Sequence, residues 1–308
     1  MPHVADRLLA CSEKTGSLAC VGLDPRPQLL PPILKQRHRQ GYPDPRAAVA
    51  AAFLDFNRKL LDAIAGRCAA VKPQSACYEA YGHYGIACLE ATIAHAVALD
   101  IPVILDAKRN DIGSTAAHYR QAFRGGAASL SGGPCATPIS DWLTANAYLG
   151  WDGIEPLLGE PGDGGVFVLV KTSNPGSAQL QGQPSGEMTV MEVMADLVSS
   201  WGAERRGQRG YSDIGAVVGA TWPEEARSLR ARMPHSLFLV PGYGAQGGGA
   251  ADALAGLGSD GQGVLVNSSR GIIGAWQDRS HGTWADDDWG AAARHALDRM
   301  NDDLNAHR

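Results

Sequence analysis

The 308-residue sequence predicts an α/β fold in which eight parallel strands alternate with helices and close into a (β/α)₈ barrel. Three observations support this prediction. Eight short apolar runs recur along the chain, and helical patterns of apolar residues lie between them. The motif GxGxxG, which usually follows the first strand of a doubly wound dinucleotide-binding sheet, is absent at that position. A doubly wound sheet is the alternative fold.

The predicted strands are short and almost continuously apolar, as expected for parallel strands that are covered on both faces. In chain order they span residues 18–24, 69–74, 102–108, 142–147, 166–173, 214–220, 237–242 and 264–269. No clear interdomain linker separates them, so we expect a single-domain TIM barrel over residues 1–308. Long loops are expected at 124–138, 159–165 and 243–263.

Helices are predicted between these strands. The clearest begins at Asp44, which is suited to cap a helix, followed by Pro45, which is suited to the first helical position; Gly66 is a plausible stop. Other helical patterns span residues 78–99, 188–201, 223–232 and 285–304.

The composition excludes several classes of protein. With 44% hydrophobic and 19% charged residues the chain is globular, and its net charge of −5 without a basic block argues against nucleic-acid binding. No apolar run approaches the roughly 20 residues of a membrane span, and the first residues lack the pattern of a secretory signal. The six cysteines form no CxxC pair. We therefore expect a cytoplasmic protein with reduced thiols, without nucleic-acid or membrane partners.

Charged residues follow two of the predicted strands at the point where each strand ends. Asp106 and Lys108 are two residues apart in the third strand, so their side chains share a face, and Asp111 follows just past it. Lys72 stands at the end of the second strand. Because the carboxyl ends of barrel strands meet at one rim, a Lys–Asp–Lys–Asp cluster is predicted there. Such a network perturbs pKa values and can hold a lysine charged as a general acid.

The ends of the last two strands predict a phosphate site. Glycines at 242–248 let backbone N–H groups approach an anion, and Arg270 beside Gly271 adds a bidentate positive group, at the usual phosphate position of these barrels. Asp24 and Ser173 lie at the ends of the first and fifth strands. The presence of these two residues is explained equally well by turn formation and by ligand binding. The nine histidines show neither HxxxH nor HExxH, so no metal site is predicted.

Taken together, these segments resemble the orotidine 5′-phosphate decarboxylase family, which catalyses the last step of UMP synthesis. Residues 106–115, DAKRNDIGST, resemble the family signature. Supporting segments are VGLDP at 21–25, VKPQ at 71–74, TSNPG at 172–176, GAVVGAT at 215–221 and PGYGAQGG at 241–248. The resemblance covers residues 18–273, and the layout is similar to the longer bacterial branch of the family.

The resemblance implies a cofactor-free, metal-free barrel that converts orotidine 5′-monophosphate to uridine 5′-monophosphate and works as a homodimer with active sites near the interface. Lys108 is expected to protonate the ring carbon as carbon dioxide leaves, Asp106 to face the substrate carboxylate, and Lys72 to hold the network and the ribose. Two further residues, Asp111 and Thr115, are expected to reach the neighbouring subunit's site. The remaining expected contacts are Asp24 to ribose, Ser173 to pyrimidine, and Gln246, Arg270 and Gly271 to phosphate.

Two residues depart from the family pattern, and two other functions remain open. Asn110 stands where glycine is expected, although asparagine tolerates left-handed backbone, and Ala147 replaces an expected proline. A metal-dependent sugar-phosphate barrel that shares the Asp-x-Lys-x-x-Asp pattern is one alternative function. A non-catalytic nucleotide-binding barrel is the other, although a pure binder has no need of the charged tetrad.

Overall fold

Eight parallel strands form the wall of a nearly closed barrel in the computed structural model, which describes residues 2–135, 139–244 and 247–308. The barrel strands are β1 Ala19–Leu23, β2 Ala70–Pro73, β3 Ile104–Arg109, β4 Trp142–Ala145, β5 Gly165–Lys171, β8 Ile214–Val218, β9 Phe238–Pro241 and β10 Val264–Ser268. A small hairpin, β6 Pro184–Ser185 and β7 Met188–Thr189, lies between β5 and β8. All eight predicted barrel strands are present, so the barrel is confirmed and the doubly wound alternative is wrong.

Neighbouring strands pair in the order β2-β1-β10-β9-β8-β5-β4-β3. Two parallel bridges, Val71 with Val103 and Gln74 with Asp106, join the two ends of this sheet. The second bridge places the end of β2 beside the charged end of β3, which is the neighbourhood that a functional cluster needs.

Helices of very different lengths connect the strands. They are α1 Val4–Thr15, α2 Pro32–Arg37, α3 Pro45–Ile64, α4 Ser75–Glu79, α5 Gly82–Ala98, α6 Gly113–Arg124, α7 Glu155–Leu158, α8 Val190–Trp201, α9 Pro223–Arg232, α10 Ala250–Ala253, α11 Arg270–Ile273 and α12 Trp289–Ala306. The Asp44 side chain caps α3 by accepting from the Arg46 N–H at 2.8 Å, as predicted. Among these described helices, none is long and apolar enough to cross a membrane.

One predicted helix is wrong in its continuity. Residues 78–99 form the end of α4 and a separate α5, because the chain turns at Ala80 and Tyr81 and Gly82, the first residue of α5, takes a left-handed backbone with φ +62°. The turn then brings Gly85 against the Tyr78 carbonyl, where a β-carbon would lie only 1.8 Å from that oxygen. The loop expected at 243–263 also contains the short helix α10.

Two apolar layers hold the barrel together. Outward strand residues such as Val71 and Leu105 pack under the surrounding helices, whereas inward residues such as Ile104 and Phe167 fill the barrel interior. Helix α1, which the sequence patterns did not predict, buries Leu8 among the inward residues near the strand starts. Each fully buried side chain of this kind contributes about 1.5–3 kcal/mol to the free energy of folding. These side chains fill the barrel at the strand starts, and the opposite end is left for a ligand.

Candidate active site

A cavity of about 850 Å³ opens at the carboxyl ends of the strands. Inward side chains from seven strands meet in its wall: Lys72, Asp106, Thr144, Leu169, Val217, Leu239 and Asn267. Its rim comes from the loops that follow the strands, and it includes Asp24, Ser173 and Arg270. This is the position at which barrel enzymes build their active sites.

Asp106 is the centre of a charged cluster in this cavity. Its Oδ2 accepts from Lys72 Nζ at 2.7 Å, and its Oδ1 accepts from Lys108 Nζ at 2.5 Å. Thr144 Oγ1 donates to Oδ1 at 2.9 Å, and Gln74 Nε2 donates to Oδ2 at 3.0 Å. Both carboxylate oxygens are thus fixed by four donors, so the carboxylate and the two ammonium groups are held at defined positions before any ligand arrives.

The cluster keeps its charges despite burial. Burial alone would raise the pKa of Asp106, but the Lys72 and Lys108 ammonium groups hold that pKa well below its usual range. Burial alone would lower the pKa of Lys72, but Asp106, together with Asp24, raises it above its usual range. The Asp106 carboxylate and the Lys72 ammonium therefore stay ionised at neutral pH. Both groups can then interact electrostatically with a bound substrate.

A bulge in β3 places Lys108 beside Asp106. The register between β3 and β4 shifts between Leu105 and Arg109, and Lys108 takes a left-handed backbone with φ +47°. The Lys108 backbone N–H donates to Thr144 Oγ1 at 3.0 Å, so the Thr144 side chain supplies an acceptor for an N–H inside the bulge. A non-glycine residue in this region carries backbone strain and is frequent at functional sites. The left-handed position in this segment is Lys108 rather than Asn110.

Gln74 and Thr144 are residues of the cluster that the sequence patterns did not identify. Gln74 lies two residues after Lys72 and lines the same cavity. Side chains two residues apart in a strand share a face, and this spacing could have identified Gln74. Thr144 is a polar residue in an otherwise apolar strand, which was a weaker signal. Their roles follow from strand pairing, which a single sequence does not reveal.

Close backbone contacts shape the rim where Asp24 and Ser173 lie. A β-carbon on Gly22 would lie 1.9 Å from Ser269 Oγ, and one on Gly219 would lie 2.9 Å from the Ser173 Cα. These glycines let the strand ends approach each other closely enough to bring Asp24 and Ser173 to the cavity. Asp24 Oδ1 is buried without a hydrogen-bond partner, so it is left available to a ligand.

The predicted phosphate residues lie at the neighbouring part of the rim. Arg270 begins α11 and lines both the main cavity and an adjoining cavity, and Gly271 lines the adjoining one. Tyr243 in the loop after β9 donates to Asp303 Oδ2 of α12 at 2.7 Å, which anchors that loop. Gln246 lies outside the described residues.

Asp111 and Thr115 are not among the described residues that line the cavity. Asp111 Oδ1 accepts from the Ile112 N–H at 2.9 Å, and Thr115 is exposed on α6. The structure thus brings together three members of the predicted tetrad, Lys72, Asp106 and Lys108, and leaves Asp111 outside the cavity of its own chain. Within the described ranges, no group of three or more His, Cys, Asp or Glu side chains is arranged to hold a metal ion.

Comparison with known proteins gives one consistent result. A sequence model of the orotidine 5′-phosphate decarboxylase / HUMPS family matches residues 18–282. The orotidine 5′-phosphate decarboxylase of Rhodopirellula baltica is 43% identical over 309 residues, which cover 99% of each chain. That of Halobacterium salinarum is 38% identical over 306 residues, 98% of each chain.

Solved structures agree with the sequence matches. The structure of Leishmania donovani OMP decarboxylase is 33% identical and superposes with a TM-score of 0.74 over 99% of this chain and 98% of that one. A crystal structure from Streptomyces avermitilis, described as a putative orotidine 5′-phosphate decarboxylase, is 30% identical with a TM-score of 0.76, over 100% of this chain and 96% of that one. The motif resemblance is confirmed: the chain belongs to the orotidine 5′-phosphate decarboxylase / HUMPS family.

Proposed function

We propose that this protein decarboxylates orotidine 5′-monophosphate to uridine 5′-monophosphate in de novo pyrimidine synthesis, without a metal or organic cofactor. One observation above all supports the proposal: Asp106 lies between the Lys72 and Lys108 ammonium groups at the open end of the barrel cavity. The family relatives carry the name of this activity. Residues 1–308 act as one catalytic domain in this proposal.

Lys108 is the proton donor in the proposed reaction. The bond between the ring carbon and the carboxylate breaks, and its electron pair stays on the ring carbon as carbon dioxide leaves. The Lys108 ammonium stabilises this developing negative charge and then transfers a proton to the carbon, which leaves a neutral amine that solvent reprotonates. Lys108 suits this role because its side chain is 46% exposed toward the cavity mouth while its partner Asp106 is fixed.

Asp106 acts on the substrate carboxylate. Its own charge is retained by the two ammonium groups, so a substrate carboxylate placed beside it is repelled. This repulsion disappears when neutral carbon dioxide forms, which lowers the barrier relative to the bound substrate. Lys72 holds Asp106 in place and lies toward Asp24, the proposed ribose contact.

The rest of the nucleotide is bound around the rim. Arg270, Gly271 and Gln246 hold the phosphate, Ser173 holds the pyrimidine, and the glycine-rich loop after β9 closes over the phosphate. Remote phosphate binding then supplies free energy for positioning the ring against Lys108.

An ultraviolet assay of orotidine 5′-monophosphate consumption by the purified protein tests the proposed function. We expect turnover that survives exhaustive chelation, because the proposed chemistry uses only side chains of this family site. Activity that is lost on chelation and restored by magnesium would instead favour a metal-dependent sugar-phosphate barrel. A folded protein that binds the nucleotide without consuming it would favour the non-catalytic alternative.

The proposed working form is a cytoplasmic homodimer in which Asp111 and Thr115 complete the partner's site. Two observations support this: Asp111 lies outside the cavity of its own chain, and apolar side chains nearby are exposed, with Ile112 at 51% and Tyr148 at 75%. Exposed apolar surface of this kind is typical of an interface between copies.

Mixing two inactive variants tests this arrangement. Lys108→Ala and Asp111→Asn proteins, unfolded together and refolded, should recover about a quarter of wild-type turnover, because half of the dimers are mixed and each mixed dimer has one intact site of two. The matched control pairs Lys108→Ala with Lys72→Ala, whose lesions both lie in the chain's own cavity, and it should recover nothing. Equal recovery in both mixtures, or none in either, would contradict the shared site.

A further inference from the structure

We infer that Asn267 is a further substrate-binding residue, whose side-chain amide hydrogen bonds to a sugar hydroxyl of the bound nucleotide. This inference rests on the proposed function, because it names an additional contact in the same site. Asn267 lies in β10 and faces into the cavity.

The Asn267 amide oxygen is buried and has no hydrogen-bond partner. The residue is 9% exposed. Burying an amide without a partner costs free energy that an apolar side chain of the same shape would not cost. Such a group in a ligand cavity is explained if the ligand supplies the missing partner.

The position of β10 indicates which part of the nucleotide Asn267 contacts. In register, Asn267 pairs with Pro241 of β9 on one side and with Cys20 of β1 on the other. Arg270, the proposed phosphate contact, follows on the same segment, and Asp24, the proposed ribose contact, ends the adjoining segment after β1. Asn267 therefore lies on the cavity wall in the strand that leads to Arg270 and beside the strand that leads to Asp24, so we assign its contact to the sugar, which joins the phosphate to the base.

A second unpartnered acceptor supports the assignment to the sugar. Asp24 Oδ1 is also buried without a partner and also belongs to the cavity. Two open acceptors in one cavity suit a ligand with more than one hydroxyl donor, which a ribose provides. The inward residues of β5, β8 and β9 that line the cavity, Leu169, Val217 and Leu239, offer no side-chain hydrogen bond.

The test compares Asn267→Leu with the wild type in the binding of three nucleotides, measured by calorimetry. The probes are uridine 5′-monophosphate and its 2′-deoxy and 3′-deoxy forms. We expect the variant to bind uridine 5′-monophosphate about tenfold or more weakly, and to lose its discrimination against at least one deoxy form. Melting of the unliganded variant should occur at or above the wild-type temperature, because leucine removes a buried polar group that has no partner in the free protein.

Three results would overturn the inference. These are unchanged uridine 5′-monophosphate affinity, an equal loss for all three nucleotides, and a melting temperature lowered by several degrees, which would mark Asn267 as structural. Should the leucine variant not fold, Asn267→Ala is measured against the same three nucleotides with the same expectations for binding. Failure of the proposed function is separately visible, because the wild type would then show no orotidine 5′-monophosphate turnover, whether or not it binds the three nucleotides.

Discussion

Replacing Lys108 by alanine should lower turnover of orotidine 5′-monophosphate by about 10⁴-fold or more while the protein stays folded. General acid catalysis contributes about 10²–10⁴-fold, and a preorganised charge at the reacting atom contributes about 10²–10³-fold. Both contributions come from one ammonium group in this site, so both are lost together. The free energy of unfolding should fall by less than about 1 kcal/mol, because the Lys108 side chain is 46% exposed and its ion pair is partly solvated.

Two further variants make this prediction specific. Lys108→Arg keeps the positive charge but holds its protons too tightly to release one, so it should remain far below the wild type. Lys14→Ala removes an exposed ion pair with Asp100, at 3.4 Å, outside the cavity, and should leave turnover unchanged. Steady-state turnover with urea denaturation of each variant checks the set. Turnover within tenfold of the wild type in the Lys108→Ala protein would refute the assigned role.

The sequence predicted the fold and the chemically active core of the site because both follow from periodic patterns. Buried parallel strands are continuous apolar runs, and Asp106 and Lys108 stand out as charges two residues apart at the end of one. Lys72 was predicted for the same reason on the neighbouring strand. The meeting of these residues in space then follows from barrel topology, in which every strand ends at the same rim.

Features that depend on particular contacts between strands could not be predicted. The hydrogen bonds from Thr144 to Asp106 and from Lys108 to Thr144 exist because β3 contains a bulge. No pattern of residues in the sequence predicts that bulge. The break between α4 and α5 depends on Gly82 turning left-handed, although the apolar spacing on both sides continues a helical pattern. The unpartnered amide of Asn267 is likewise a property of its surroundings and not of its residue type.

Asp106→Asn should affect both stability and turnover, in contrast to Lys108→Ala. The Asp106 carboxylate is 8% exposed and accepts hydrogen bonds from four donors. An asparagine amide has one acceptor oxygen, so its NH₂ group must face donors, and Lys72 and Lys108 lose the negative charge between them. We expect the free energy of unfolding to fall by about 3–5 kcal/mol, as when a buried ion pair loses one partner. Turnover should fall by about 10²-fold or more, because the position of Lys108 is no longer fixed.

The pH dependence of this stability difference identifies its cause. Because the folded pKa of Asp106 is lowered, its carboxylate stabilises the wild type fully above its unfolded pKa of about 3.9, and this contribution is lost as pH falls toward the folded value. The difference between wild type and Asp106→Asn, measured by urea denaturation, should therefore be constant from about pH 5 to 8 and shrink below about pH 4. Asp100→Asn, which changes an exposed carboxylate paired with Lys14, should differ little from the wild type throughout. An Asp106→Asn protein as stable as the wild type at pH 7 would contradict this prediction. It would mean that the ion pairs of Asp106 with Lys72 and Lys108 do not stabilise the folded protein.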